Sequence, residues 1–412
     1  MGIVRHHTFG VAAAALLATT ALTGTASAQY SGNTIKIGVL TDMSGPYSDI
    51  TGAGGVEAVK MAIEEFGGEI NGIPIEIVYA DHQNKPDIGS AIARRWIDNE
   101  NVDVLIDVVT SSVALAVQDI GREKNKIIIN TGGATSALTN KNCSPVGFHW
   151  VYDTYAMSVG TGEAIVKQGG DSWFFITADY TFGHALEKDV SGVVEAAGGK
   201  VVGSARAPFP TADFSSYLLR AQSSGAKIIG LANAGQDTIN SIKQAKEFGI
   251  TDSGDQNLAA LFLFITDVHS LGLEAAQKLF LTTGFYWDRT DDSRTWSQKW
   301  SNRVGGDRKP TMVQAGNYSA ARHYLQAVKD AGTDDTDAVV AKMRETPVND
   351  VFAQGGKIRP DGRMVHDMYL VEVKTPAESK EPWDYYNLRA TIPADKAFLP
   401  LEKSACPLVK NG

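Results

Sequence analysis

The sequence is short of several things that would point to particular functions. It has no cluster of lysine and arginine, and a formal net charge of −9. Nucleic-acid binding, which needs a basic surface, is therefore excluded. Beyond the amino terminus no apolar run is long enough to span a bilayer. Cysteine is scarce too, with only Cys143 and Cys406 in 412 residues. What remains is ordinary: 43% hydrophobic and 21% charged residues, the balance of a globular chain too long for a single core and sized for about two domains.

The amino terminus reads as an export signal over residues 1–28. Arg5 supplies positive charge, Val11 to Leu22 an apolar core, and Ala26-Ser27-Ala28 a small-residue cleavage site before Gln29. The run is too short, and too interrupted by Thr and Gly, to serve as a membrane anchor. Export predicts a periplasmic location, and in an oxidising compartment an isolated cysteine pair forms a disulfide. Cys143 and Cys406 both lie in proline-containing loop sequence, so their bond would tie the carboxyl tail to the end of the first lobe.

The most informative stretch is Val102 to Thr139. Two apolar strands, Val104 to Val109 and Ile127 to Ile129, each end in a small polar turn that opens into a helix. The first turn is Thr110-Ser111-Ser112, and the second runs from Asn130 to Thr135 and contains Gly133. Strands joined by one helix pair in parallel with a right-handed crossover, so both turns fall on one sheet edge. Helix amino termini offer unpaired N–H groups and partial positive charge, and hydroxyls add donors, so the place suits a carboxylate. Taken singly, each Ser or Thr is also an ordinary helix cap. No His, Cys or Lys stands in either turn, so no nucleophile, base or metal ligand is assembled there.

In chain order, strand Ile35 to Leu40 ends in Thr41 to Ser48, which places Tyr47 and Ser48 at the same edge. Gly52, Gly54 and Gly55 follow, with the wrong spacing for a dinucleotide fingerprint. Strand Ile75 to Tyr79 ends in Asp81-His82. After Phe148-His149-Trp150 and a helix from Tyr155 to Gln168 the strand and helix alternation restarts, with strands at Trp173 to Thr177, Val201 to Gly203, Ile228 to Leu231, Leu261 to Phe264 and Leu279 to Leu281. The strand ends Ala178 to Gly183, Asn233 to Gly235 and Thr266-Asp267 would form an opposite wall. From Thr295 to Arg344 helices follow without strands, then strand Tyr369 to Val373. Trp383, Tyr385 and Tyr386 read as packing in the tail. Two such series predict an α/β protein of two doubly wound lobes with a ligand cleft between them.

Ile37 to Pro46, Asn71-Gly72-Ile73-Pro74-Ile75, Thr110 to Ser112, Gly133-Ala134-Thr135 and Phe182-Gly183 together resemble the leucine/isoleucine/valine-binding group of bacterial ABC-importer solute-binding proteins. The resemblance covers nearly all of the chain after the signal. It implies two Rossmann-like lobes joined by three crossover segments: residues 29–150 with 286–366, and 151–285 with 367–377, followed by a tail, 378–412. By position it implies that Ser112, Gly133 and Thr135 hold a ligand carboxylate. Phe182 stands where relatives often carry Tyr, and Asp267 or Thr266 stands nearest to the acid that pairs with an amino-acid amine. Relatives also include binders of aromatic carboxylates.

The function expected is capture of a small carboxylate-bearing solute by lobe closure and its delivery to the membrane permease of an ABC importer, by a monomer without cofactor or metal. Ser111, Ser112, Gly133 and Thr135 would take the carboxylate, while Tyr47, Tyr155 and Phe182 would shape the apolar part. Two other readings stand beside it. One is an extracytoplasmic enzyme with Asp81, His82 or His269 as acid or base. The other is a ligand sensor for a signalling receptor.

Overall fold

The computed structural model describes residues 1–4, 6, 30–251 and 254–410. The segments read as an export signal, Val11 to Leu22 and Ala26-Ser27-Ala28, lie outside the described residues, as does Arg5. No helix among the described residues is long and apolar enough to cross a membrane.

The first lobe is built on a six-stranded sheet. Ile35–Thr41 pairs in parallel with Ile73–Asp81 on one side and Val104–Asp107 on the other. Ile127–Asn130 and Gly147–His149 extend the sheet in parallel beyond Val104–Asp107, and Glu69–Ile70 adds a short antiparallel edge. Val104 to Ile106 and Ile127 to Ile129 are almost completely buried. That is why they are continuous apolar runs: in a parallel sheet, helices cover both faces. The outer strand Ile73–Asp81 has one open side and keeps residues such as Glu76 and Tyr79 exposed. Helices Gly52–Glu65, Pro86–Asn99 and Ser111–Lys124 make the crossovers. Pro86 sits at a helix start, where its missing N–H costs nothing, and left-handed Asn125 ends the last of the three. The chain returns after the second lobe to lay Met312–Ala331 along Gly52–Glu65.

The second lobe repeats the plan. Ser172–Ala178 is flanked in parallel by Lys200–Ala207 and Ile228–Ala232, with Asn257–Ala260 beyond. At the turn into helix Thr181–Ala196, a Cβ on Gly183 would lie 2.1 Å from the Ala178 carbonyl oxygen, so only glycine fits. In each sheet the strand order reverses beside the first strand of the lobe, between Ile35–Thr41 and Val104–Asp107 and between Ser172–Ala178 and Ile228–Ala232. Such reversals open a crevice at the carboxyl ends of the strands.

Three features differ from the sequence reading. Leu261 to Phe264 is not a strand: pairing with Ile228–Ala232 stops at Ala260, and the apolar run continues past the sheet as a loop into helix Ile265–Leu271. The region after residue 344 does contain strands, Val348–Asn349, Gln354–Ile358 and Met364–Val365, in a small antiparallel sheet. The tail joins a further antiparallel sheet, in which Met368–Val373 lies between Phe280–Thr283 and Tyr386–Ile392. It then reaches Cys406, which is disulfide-bonded to Cys143.

Candidate functional site

Where the two reversals meet, residues of both lobes line a narrow cavity. Tyr47, Ile50, Val109, Thr110, Ser111, Gly132 and Ala134 line it from the first sheet edge, Tyr152 from the connecting segment, and Tyr180, Phe182, Ala234, Phe262 and Phe264 from the second.

Tyr47 is placed by a buried carboxylate. Asp42 accepts from the Gly45 and Tyr47 amides at 2.7 and 2.9 Å and from Asn84 Nδ2 at 2.7 Å, which folds the loop back on itself. Asn84 in turn accepts from the Thr110 hydroxyl, tying this loop to the first hydroxyl turn. The Thr110 proton is thereby committed, so its oxygen has only acceptor capacity left.

The turn itself is wound against its preference. Asp107, Val108 and Thr110 have φ of 84°, 51° and 82°, the left-handed region that residues with a Cβ avoid. Such conformations persist where the surroundings over-determine them, and they gather at ligand sites. Here the Thr131 and Gly132 amides both donate to the Asp107 carbonyl at 3.1 Å. The Asp107 carboxyl accepts from the Thr51 hydroxyl and from Asn317 Nδ2, and burial pushes its pKa up to about 6.

The strained turn delivers Ser111 to the start of helix Ser111–Lys124, whose amino terminus has no side-chain cap. Ser111 Oγ accepts from the Thr135 amide at 3.0 Å. Its own proton is given to no other group among the described residues, so it is available to the cavity. Free helix amides, partial positive charge and a hydroxyl donor thus meet at one end of the cavity.

The rest is aromatic. Tyr152 donates to the Gly132 carbonyl at 3.0 Å and meets Phe262 edge-on at 5.0 Å. Phe182 packs edge-on against Phe262 at 4.9 Å. The hydroxyls of Tyr47 and Tyr180 are 2.6 Å apart across the seam between lobes, and both rings stack on Phe209. No residue lining the cavity is an acid, a base or a histidine.

A family model described as periplasmic binding protein matches residues 34–380. The chain belongs to this family. A periplasmic binding protein from Burkholderia mallei is 52% identical, with a TM-score of 0.89 over 91% of this chain and 99% of that one. A branched chain amino acid ABC transporter periplasmic ligand-binding protein from Burkholderia xenovorans is 39% identical, with a TM-score of 0.81 over 91% and 100%. A Leu/Ile/Val-binding protein homolog from Brucella melitensis is 26% identical over 88% of this chain and 92% of its own.

Within this periplasmic binding protein, four residues singled out from the sequence line the cavity: Tyr47, Thr110, Ser111 and Phe182. The others lie around it. Ser112 is half-buried on the first helical turn, and the Gly133 carbonyl is 2.6 Å from His149 Nε2. Thr135 uses its hydroxyl to cap Ser136–Thr139 and its amide to hold Ser111. In both turns the lining residues, Ser111, Gly132 and Ala134, are one position earlier than the resemblance implied. Ser48 donates to the Gly45 carbonyl at 2.8 Å, and Tyr155 is half-buried at the start of helix Thr154–Lys167. Asp267 is not among the lining residues, and its Oδ2 accepts from the Phe264 amide at 2.9 Å.

None of the acid–base candidates lines the cavity. Asp81 accepts from Ser44 at 2.7 Å, and buried His82, its pKa lowered to about 4 by desolvation, accepts from the Asn84 amide. His269 is stacked on Trp383 at 4.0 Å with Nδ1 2.8 Å from the Tyr385 hydroxyl. Sequence reasoning missed Tyr152, Phe262 and Phe264 and left Tyr180 as a general wall residue. Their signal was present: one aromatic just past the restart at Trp150, and two at i, i+2 in the run taken for a strand.

Two predictions arise here. Gly235, at φ +58°, is so close to the first lobe that a Cβ would lie 2.6 Å from the Pro46 carbonyl oxygen. Gly235→Ala should therefore prop the lobes apart and weaken ligand binding by roughly tenfold or more, with small-angle scattering showing a less compact bound state; unchanged affinity would contradict this contact. The second concerns Asp267, whose pKa burial raises to about 7. A raised acid pKa means the native state holds the proton more tightly than the unfolded chain, whose value is about 3.9. Its contribution is complete below that value and lost as pH rises through about 7. Asp267→Asn keeps the acceptor for Phe264 and should flatten the decline in thermal stability between about pH 4 and pH 7; an unaltered slope would refute the assignment.

Proposed function

We propose that this protein is the solute-binding component of an ABC importer, that it acts in the periplasm, and that its solute is a small aromatic monocarboxylate enclosed by lobe closure and passed to the membrane permease. The observation that carries the reading is the cavity lining: a neutral donor end at Ser111 and an aromatic body, with no charged side chain. A carboxylate suits the donor end, because hydrogen bonds to an ionised acceptor are strong and helix amino termini favour anions. An α-amino acid would bring an ammonium as well, and a buried charge without a partner is costly. Asp267, the acid nearest in the sequence reading, is not among the lining residues.

Closure supports affinity, because expelling water strengthens each hydrogen bond, and a ligand touching both lobes biases the hinge equilibrium. The test is a thermal-shift and calorimetric series of benzoate, cinnamate, L-phenylalanine and L-leucine. A bound acid at a hundredfold excess over Kd should add about 2.7 kcal/mol of stability. The aromatic acids should bind and be recovered chemically unaltered, as expected of a carrier; binding of the amino acids alone would favour the function named for the 39%-identical relative and overturn the aromatic assignment.

A further inference from the structure

We propose that the Tyr47–Tyr180 hydroxyl pair is a polar subsite that takes a neutral hydroxyl substituent on the ring of the ligand. This deepens the function just proposed and rests on it.

The two oxygens are 2.6 Å apart, one from each lobe, and both residues line the cavity. Two phenols carry two protons, and their mutual hydrogen bond uses one. Among the described residues neither oxygen has another partner, so the second proton has no acceptor in the protein. Asp237 is the acid whose charge bears on both rings, but its Oδ1 accepts from the Thr211 amide at 3.1 Å and it makes no hydrogen bond to either hydroxyl. Burial keeps both phenols neutral, Tyr47 being buried and Tyr180 half-buried.

A ligand hydroxyl answers this arrangement from both sides. It can accept the spare proton and donate its own to a free lone pair, closing a ring of three hydroxyls. A methyl group of similar size can do neither, and it would bury the unsatisfied donor. The rings themselves are fixed by stacking on Phe209, at 5.3 Å for Tyr47 and 4.7 Å for Tyr180, so the hydroxyls are held in place before the ligand arrives. Because the pair spans the seam, the substituent would also help hold the lobes together.

Calorimetry on the whole protein with benzoate, 3- and 4-hydroxybenzoate and the matching methylbenzoates tests this. In the wild type one hydroxybenzoate should bind about ten- to a hundredfold more tightly than the methylbenzoate of the same ring position, the penalty expected for an unmatched buried hydroxyl. In Tyr47→Phe and Tyr180→Phe, which retain the rings and their stacking, that preference should fall below about threefold, whatever happens to the affinity for benzoate itself. Equal binding of each matched pair by the wild type would overturn the subsite. So would survival of the preference in both variants, since a mere latch between lobes would weaken all the acids alike and leave their ratios unchanged. Failure of benzoate and all its derivatives to bind would instead remove the aromatic-acid reading beneath it.

Discussion

Ser111→Asp should abolish carboxylate binding, weakening it at least about a hundredfold, while leaving the fold intact. The fold survives because an acidic side chain in the first turn of a helix is favoured by the helix dipole, and helix Ser111–Lys124 has no acid and no side-chain cap there. The Thr135 amide, which now donates to Ser111 Oγ, would also find an acceptor. Binding fails because the new carboxylate occupies the donors meant for the ligand and sets a like charge against it, at a cost of several kcal/mol in an enclosed site. Each 1.4 kcal/mol is tenfold in affinity, so about a hundredfold is the lower bound. Ser111→Ala should cost less, roughly tenfold, because it removes one hydrogen bond to a charged group and adds no repulsion. Calorimetry with benzoate, beside thermal melts of the empty proteins, separates these effects. Binding by the Asp variant within about threefold of wild type would mean that the anion sits elsewhere.

Opening the disulfide should bring the largest loss of stability. Cys143 and Cys406 are 263 residues apart, so the bond closes a very long loop in the unfolded chain. The loop-closure relation gives about 5.6 kcal/mol for such a loop, and losses measured on removing native bonds run about 2–5 kcal/mol. The tail is also positioned locally, with the Ala405 amide donating to Asn140 Oδ1 at 2.6 Å. The double variant Cys143→Ser/Cys406→Ser should melt on the order of ten degrees lower. Its ligand affinity should be unchanged, since neither cysteine lines the cavity. Thiol titration of the denatured, unreduced wild type should find no free thiol; two would refute the bond.

The architecture was readable because its signals are local. Continuous apolar runs such as Val104 to Ile106 and Ile127 to Ile129 announce strands covered on both faces, and the polar turns behind them mark one sheet edge. The site was readable only in part. Ser111 and Tyr47 could be found because a strand end fixes where such residues lie, but which of Ser111 and Ser112 turns inward depends on the left-handed backbone at Asp107 to Thr110, and no propensity predicts that strain. Phe262 and Phe264 were hidden for a related reason. Leu261 to Phe264 alternates like a strand, and only the end of pairing at Ala260 makes it a loop that aims two rings into the cavity. Asp267 shows the opposite error: an acid near the expected place for an amine proved to be part of a helix start, bonded to the Phe264 amide.

Grip of an intact anion by a neutral cavity is tested most directly by a calorimetric comparison of benzoate with benzamide, its uncharged isostere. The donors at the Ser111 end predict that benzoate binds and that benzamide is weaker by about a hundredfold, since the amide exchanges a charged acceptor for a neutral one. Equal affinity for the two would contradict the proposed anion site.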